Sequence, residues 1–169
     1  SEQGFKTPPI DPHSLNLVGF PATKGTPELT QVLERAGITI NCRPFPEVEL
    51  TIFEDYLAAP LQVQYPLDHF SELYSLLLGE LPLETITPAA PYGMEATRRW
   101  LATVGEALGC EAEMATAVAE RWQAVEARWD SIRTQASRQT LGFVLAGEAP
   151  ELLNNPGRCH GIPILQWLQ

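Results

Sequence analysis

Three cysteines and three histidines are the side chains best able to ligate a metal or attack a substrate: Cys42, Cys110 and Cys159, and His13, His69 and His160. A compact metal or cluster site draws its soft or nitrogen ligands from closely spaced pairs. Here there is no C-x-x-C, and no two histidines share one helix face, so no self-contained zinc or iron-sulfur site is expected and no metal ligand is nominated. The odd, widely spaced cysteines also argue against a disulfide framework and fit a reducing compartment. Cys159 and His160 could be called a nucleophile and its base, but adjacent loop residues usually point apart, and a turn explains them better.

Phosphate chemistry has a different signature. Gly19 to Thr26 lies between an apolar run and a helical pattern, where free amides and the positive end of a helix dipole can hold an anion. Lys24 precedes Gly25, however, reversing the order that puts the lysine of a phosphate loop on the helix start. No G-x-G-x-x-G follows the first apolar run either, so neither a nucleotide nor a dinucleotide site is expected. The carboxylates fall mostly on outward helix faces with no pair poised for acid/base work. Catalytic residues are therefore unassigned from chemistry alone.

Any such residues must be held by the elements between them. Residues 1–14 carry Pro8, Pro9 and Pro12 and read as a leader or linker, because each ring removes a donor and restricts its predecessor. Leu15 to Phe20 is a short apolar run closed by Pro21, the pattern of a buried parallel strand. Thr26 as cap, Pro27 at the first helical position, then Leu29, Val32, Leu33 and Ala36 with Gly37 as stop predict a helix. Ile38 to Cys42 is a second strand, Val48 to Leu57 a helix, and Leu61 to Tyr65 a third strand. A helix capped by Asp68 follows, carrying Phe70, Leu73, Leu76 and Leu77 to a stop at Gly79. Leu83 to Pro88 is a fourth strand and Met94 to Leu108 a helix with Thr97, Leu101, Val104 and Leu108 inward.

Strands alternating with helices predict right-handed crossovers: an α/β, Rossmann-like three-layer domain with a parallel sheet of four to five strands and helices on both faces, over residues 15–109. Residues 110–140 read as one long amphipathic helix, with Met114, Val118, Trp122, Val125, Trp129 and Ile132 in a seam that meets either this domain or a neighbour. Residues 141–169 read as a fifth strand, Leu141 to Ala146, with a truncated helix from Pro163, or as the start of a following α/β domain.

Composition narrows the partners. A net charge of -10, from 11 basic and 21 acidic residues, leaves no large positive surface for phosphates, so nucleic acid is not expected. With no signal-peptide pattern and no apolar stretch long enough to span a bilayer, the reading is a cytoplasmic protein without membrane contact.

The most specific local pattern is Pro91-Tyr92-Gly93-Met94-Glu95-Ala96-Thr97-Arg98-Arg99-Trp100-Leu101. It resembles the P-x-G-x-x-x-T-x-x-W-L stretch at a strand-to-helix junction of the nitrogenase component-one family, which includes nitrogenase subunits, their cofactor-assembly scaffolds and the light-independent protochlorophyllide and chlorophyllide reductases. Leu15 to Phe20 is similar to that family's V-N-L-x-G strand, Leu33 to Ile38 to its L-L-E-x-x-G-I, and Leu81-Pro82 to its I-P. The resemblance runs closely over Leu15 to Leu108 and less closely beyond.

It implies the middle of three Rossmann-like domains in an iron-sulfur-dependent oxidoreductase. A homologous partner subunit and an ATP-dependent iron-protein reductase would be its partners, and the full-length protein would hold an iron-sulfur cluster or related metallocluster. Where nitrogenase's cofactor subunit has a ligating cysteine after the third strand, this chain has Tyr65. A phenol is not the soft thiolate such iron requires, so the fragment itself is not expected to bind the cluster. In an open parallel sheet, ligands sit beyond the carboxyl ends of the strands. Phe20, Thr23, Tyr65, Asp68, His69, Tyr92 and Gly93 are therefore the candidate rim of a cofactor or substrate pocket. Two further readings stay open: a non-catalytic scaffold or carrier for metal-cluster or tetrapyrrole assembly, and a stand-alone small-molecule-binding domain.

Overall fold

The structure, a computed structural model, describes residues 8–21, 25–45, 55–66 and 68–140, without the side chains of 68–71. Four strands, β1 (Ser14–Val18), β2 (Thr39–Cys42), β3 (Leu61–Gln64) and β4 (Glu84–Ile86), form one sheet in the order β2-β1-β3-β4. All three pairings are parallel. Among the described residues the helices are α1 (Gly25–Arg35), α2 (Asp68–Leu78), α3 (Gly93–Leu108) and α4 (Glu111–Ala136), with a 3-10 turn at Tyr56–Ala58. This is the α/β, Rossmann-like architecture that the alternating pattern predicts.

Alternation along β1 separates two cores. Leu15 and Leu17 face α1 and α3, meeting Leu29, Val32 and Leu33 on one and Trp100, Leu101 and Val104 on the other. Val18 points the opposite way, to Tyr56, Tyr74 and Leu78. The chain thus covers one face with α1, α3 and α4 and the other with the 3-10 turn and α2. Because β1 connects outward to β2 over one face while β3 connects to β4 over the other, the order reverses between β1 and β3. In such sheets this switch point opens a crevice at the strand carboxyl ends.

Several expectations are corrected. On α2, Leu73, Leu76 and Leu77 are exposed (40%, 79% and 51%), while Tyr74 and Leu78 are buried. Leu73, Tyr74, Leu76, Leu77 and Leu78 are all apolar and cover more than one stripe of the helix, so periodicity could not choose which of them faces inward. On α3 Leu101 and Val104 are fully buried as expected, and Trp100, 1% exposed, is buried beside them, whereas Thr97 and Leu108 are only half-buried. Thr26 does not act as the cap of α1: its hydroxyl donates to the Pro21 carbonyl at 2.7 Å, tying the helix back to the loop.

The α4 seam meets helices and not the sheet. Met114 and Val118 pack into the core beside α1 and α3, and Gly105 lets α3 and α4 close, since a Cβ there would lie 3.0 Å from that of Met114. Further along α4, Trp122, Val125 and Trp129 are half-buried, and Ile132 is 46% exposed. The expected fifth strand and terminal helix in 141–169 lie outside the described residues. So does most of the expected helix Val48 to Leu57, of which Tyr56 and Leu57 fall in the 3-10 turn.

Candidate functional site

At the carboxyl ends of β1, β3 and β4 the chain encloses a cavity of about 310 Å³. Its floor follows from strand register. β1 and β3 stay paired past their ends through the Tyr65 amide, which donates to the Val18 carbonyl at 2.9 Å, so Phe20 and Tyr65 leave adjacent strands side by side. Their rings meet edge to face at 5.3 Å, and Phe20 meets Trp100 of α3 the same way at 5.7 Å. Such contacts set the positive edge of one ring against the negative face of another and fix both rotamers.

The third side comes from the start of α3. Gly93 has φ 73, a conformation that favours glycine, and it turns the chain from Pro91 and Tyr92 into the helix. Thr97 secures that turn by donating to the Pro91 carbonyl at 2.9 Å. Burial, and next a side-chain hydrogen bond with Tyr92, push the Tyr65 phenol above its ordinary range. Tyr65 is therefore a neutral hydrogen-bonding group at any physiological pH. Helix α4 closes the fourth side with Arg121, Trp122, Val125 and Trp129; Arg121 reaches Glu28 of α1 at 3.5 Å.

Four of the sequence-predicted rim residues, Phe20, Tyr65, Tyr92 and Gly93, thus line one cavity. Phe20 and Tyr65 form its buried floor and Tyr92 its half-buried edge. Thr23 lies outside the described residues. Asp68 and His69 open α2, which crosses to the opposite face; their side chains are outside the described residues, and no described residue of α2 lines the cavity. Sequence reasoning missed the contribution of α4. Trp122 and Trp129 were legible as a seam, but nothing in their spacing says that it ends over the strand tips.

The two described thiols sit elsewhere, and Cys159 lies outside the described residues. Cys42, on β2, donates to Asn16 Oδ1 at 3.0 Å and is pushed up to about 12 by burial and then by the Asp55 carboxylate. Cys110, at the turn between α3 and α4, is raised by burial and then by Glu113 and Glu111. Both are neutral thiols and neither lines the cavity. Among the described residues no group of three His, Cys, Asp or Glu side chains is placed to hold a metal ion. The described lining does not fit direct ligation of an iron-sulfur cluster, whose iron takes thiolates.

Residues 2–150 match the sequence profile of the family described as nitrogenase component 1 type oxidoreductase. The chain belongs to that family. The solved structure of nitrogenase Cp1 at pH 5 superposes with a TM-score of 0.57 at 16% identity, over 73% of this chain. That likeness shows a shared fold. The component-1 type chain described here spans only 26% of that nitrogenase chain. No curated protein matches it significantly. Among the described residues of this family member, no helix is long and apolar enough to cross a membrane.

Proposed function

We propose that this chain is one Rossmann-like domain of a component-1 type oxidoreductase, and that its strand-end rim walls a cofactor or substrate cavity without itself ligating a cluster. The carrying observation is the convergence of Phe20, Tyr65, Tyr92 and Gly93, from three separate strand ends, on one cavity at the switch point. Concave, mostly apolar lining with a few polar groups is the usual make-up of a ligand site. Family membership supports the wider setting: an iron-sulfur cluster or related metallocluster held by other parts of the full-length protein, a homologous partner subunit, an ATP-dependent iron protein as electron donor, and a cytoplasmic location. The exposed α2 leucines, Leu73, Leu76 and Leu77, are a surface suited to contact with the rest of that assembly.

Tyr92→Ala in the full-length protein tests the cavity. The residue is half-buried and caps α3 with no side-chain hydrogen bond to the helix, so the fold should survive its loss. Turnover or cofactor loading should fall while circular dichroism stays unchanged. Full activity in that variant would remove the rim from the function. Tyr65, 3% exposed and edge to face with Phe20, is tested as Tyr65→Phe, because Tyr65→Ala would open the floor and perturb the fold as well.

A further inference from the structure

The cavity wall is aromatic on several sides. Two of the chain's 4 tryptophans, Trp122 and Trp129, and two of its 4 tyrosines, Tyr65 and Tyr92, meet there with Phe20. Phe20 and Tyr65 are buried against each other, but Tyr92, Trp122 and Trp129 are only half-buried around the open volume. Rings that border a cavity can make dispersion contacts with an occupant. Their quadrupoles favour another ring, stacked with an offset or edge-on, over an aliphatic occupant. At about 310 Å³ the cavity is at the small end of ligand sites, which run from about 300 to 1,000 Å³. One or two fused rings fill it, and a macrocycle does not fit within it.

The polar groups narrow the class further. Arg121 lines the cavity with its guanidinium only loosely committed: its pair with Glu28 is 3.5 Å long, and the two side chains are 37% and 67% exposed. A pair of that kind is weak in water, whereas a second carboxylate in planar contact could take both guanidinium N–H groups.

Resting on the reading of the rim as a ligand site, we propose that this cavity takes a planar aromatic carboxylate of one or two fused rings. Its ring lies among Phe20, Tyr92 and Trp122, and its carboxylate lies on Arg121. Three probes test this on the full-length protein by calorimetry and tryptophan fluorescence: naphthoate, its neutral analogue naphthylmethanol, and the ring-saturated acid of the same skeleton. Naphthoate should bind and quench, and the saturated acid should bind at least tenfold more weakly. Arg121→Gln should weaken naphthoate at least tenfold and leave naphthylmethanol unchanged. Val125→Trp, which fills the cavity from α4, should abolish binding of naphthoate and naphthylmethanol.

Equal affinity for the saturated acid would overturn the aromatic class while leaving the rim as a ligand site. An unchanged naphthoate affinity in Arg121→Gln would overturn the carboxylate. Binding that survives Val125→Trp would place the probes elsewhere and overturn the proposal. If none of the three probes binds, the aromatic carboxylate is overturned, whereas the rim reading falls only if Tyr92→Ala also leaves turnover and cofactor loading unchanged.

Discussion

The hydroxyl of Tyr74 closes directly over the Cα of Gly19: a Cβ built on Gly19 would lie 2.3 Å from Tyr74 Oη. Gly19 also has φ 71, so two independent constraints, backbone conformation and space, meet at the residue that ends β1 and aims Phe20 at the cavity. This contact also explains which face of α2 is inward, because the slot above glycine admits the Tyr74 ring, which Phe45 then covers at 5.2 Å.

Gly19→Ala should therefore destabilise by about 2–4 kcal/mol, combining left-handed strain with overpacking. Denaturant unfolding of the single variants and of Gly19→Ala/Tyr74→Leu should show a double mutant less destabilised than the sum, since the smaller side chain vacates the slot. Strict additivity would mean that the strain is wholly in the backbone.

Among the described residues Trp100 is the largest fully buried side chain, and it is the support behind Phe20. Trp100→Ala should cost about 3–5 kcal/mol. Its indole nitrogen has no hydrogen-bond partner among the described residues, so Trp100→Phe loses volume but no bond and should cost about 1–2 kcal/mol. The midpoints of urea unfolding for the two variants would report this difference.

A polar row crosses the opposite face of the sheet. Asn16 of β1, fully buried, donates to the Tyr56 carbonyl at 2.9 Å and accepts from Asn41 at 2.8 Å and Cys42 at 3.0 Å. Gln62, opposite Asn16 on β3, accepts from the Tyr56 hydroxyl and donates to Thr85 of β4. Every register slip breaks the row, so it specifies pairing where an apolar face would tolerate shifts. Asn16→Leu should cost about 2–4 kcal/mol by orphaning several buried groups. Asn41→Ala, nearer the surface, should cost clearly less in the same unfolding experiment.

Alkaline pH should loosen the fold. The Cys42 thiol lies near 9.0 when unperturbed and about 12 in the folded protein, so the folded state holds its proton more tightly. That contribution is complete below about pH 9 and is lost as pH rises towards 12. Tyr56 and Tyr65, also raised chiefly by burial, add to the same fall above their ordinary value of 10.0. Denaturant midpoints measured across this range should decline, and Cys42→Ser, which keeps a hydroxyl donor and does not titrate there, should flatten the early part of the decline.

Local order was legible in the residues themselves. Short apolar runs, Gly37 and Gly109 as helix stops, and the Pro91–Gly93 junction are properties of neighbours a few positions apart, and they suffice for four parallel strands with helices between. The convergence of Phe20, Tyr65, Tyr92 and Gly93 was also legible, because a parallel sheet puts all strand ends on one rim. What only the tertiary structure decided were the choices among equivalent local options: the Tyr74 face of α2 over its leucines, Trp100 as the core of α3, and the arrival of Arg121, Trp122 and Trp129 over the cavity. Periodicity shows that a helix has an apolar side, but contacts distant in sequence determine what that side meets. Here those contacts are the space above Gly19 and the close crossing at Gly105.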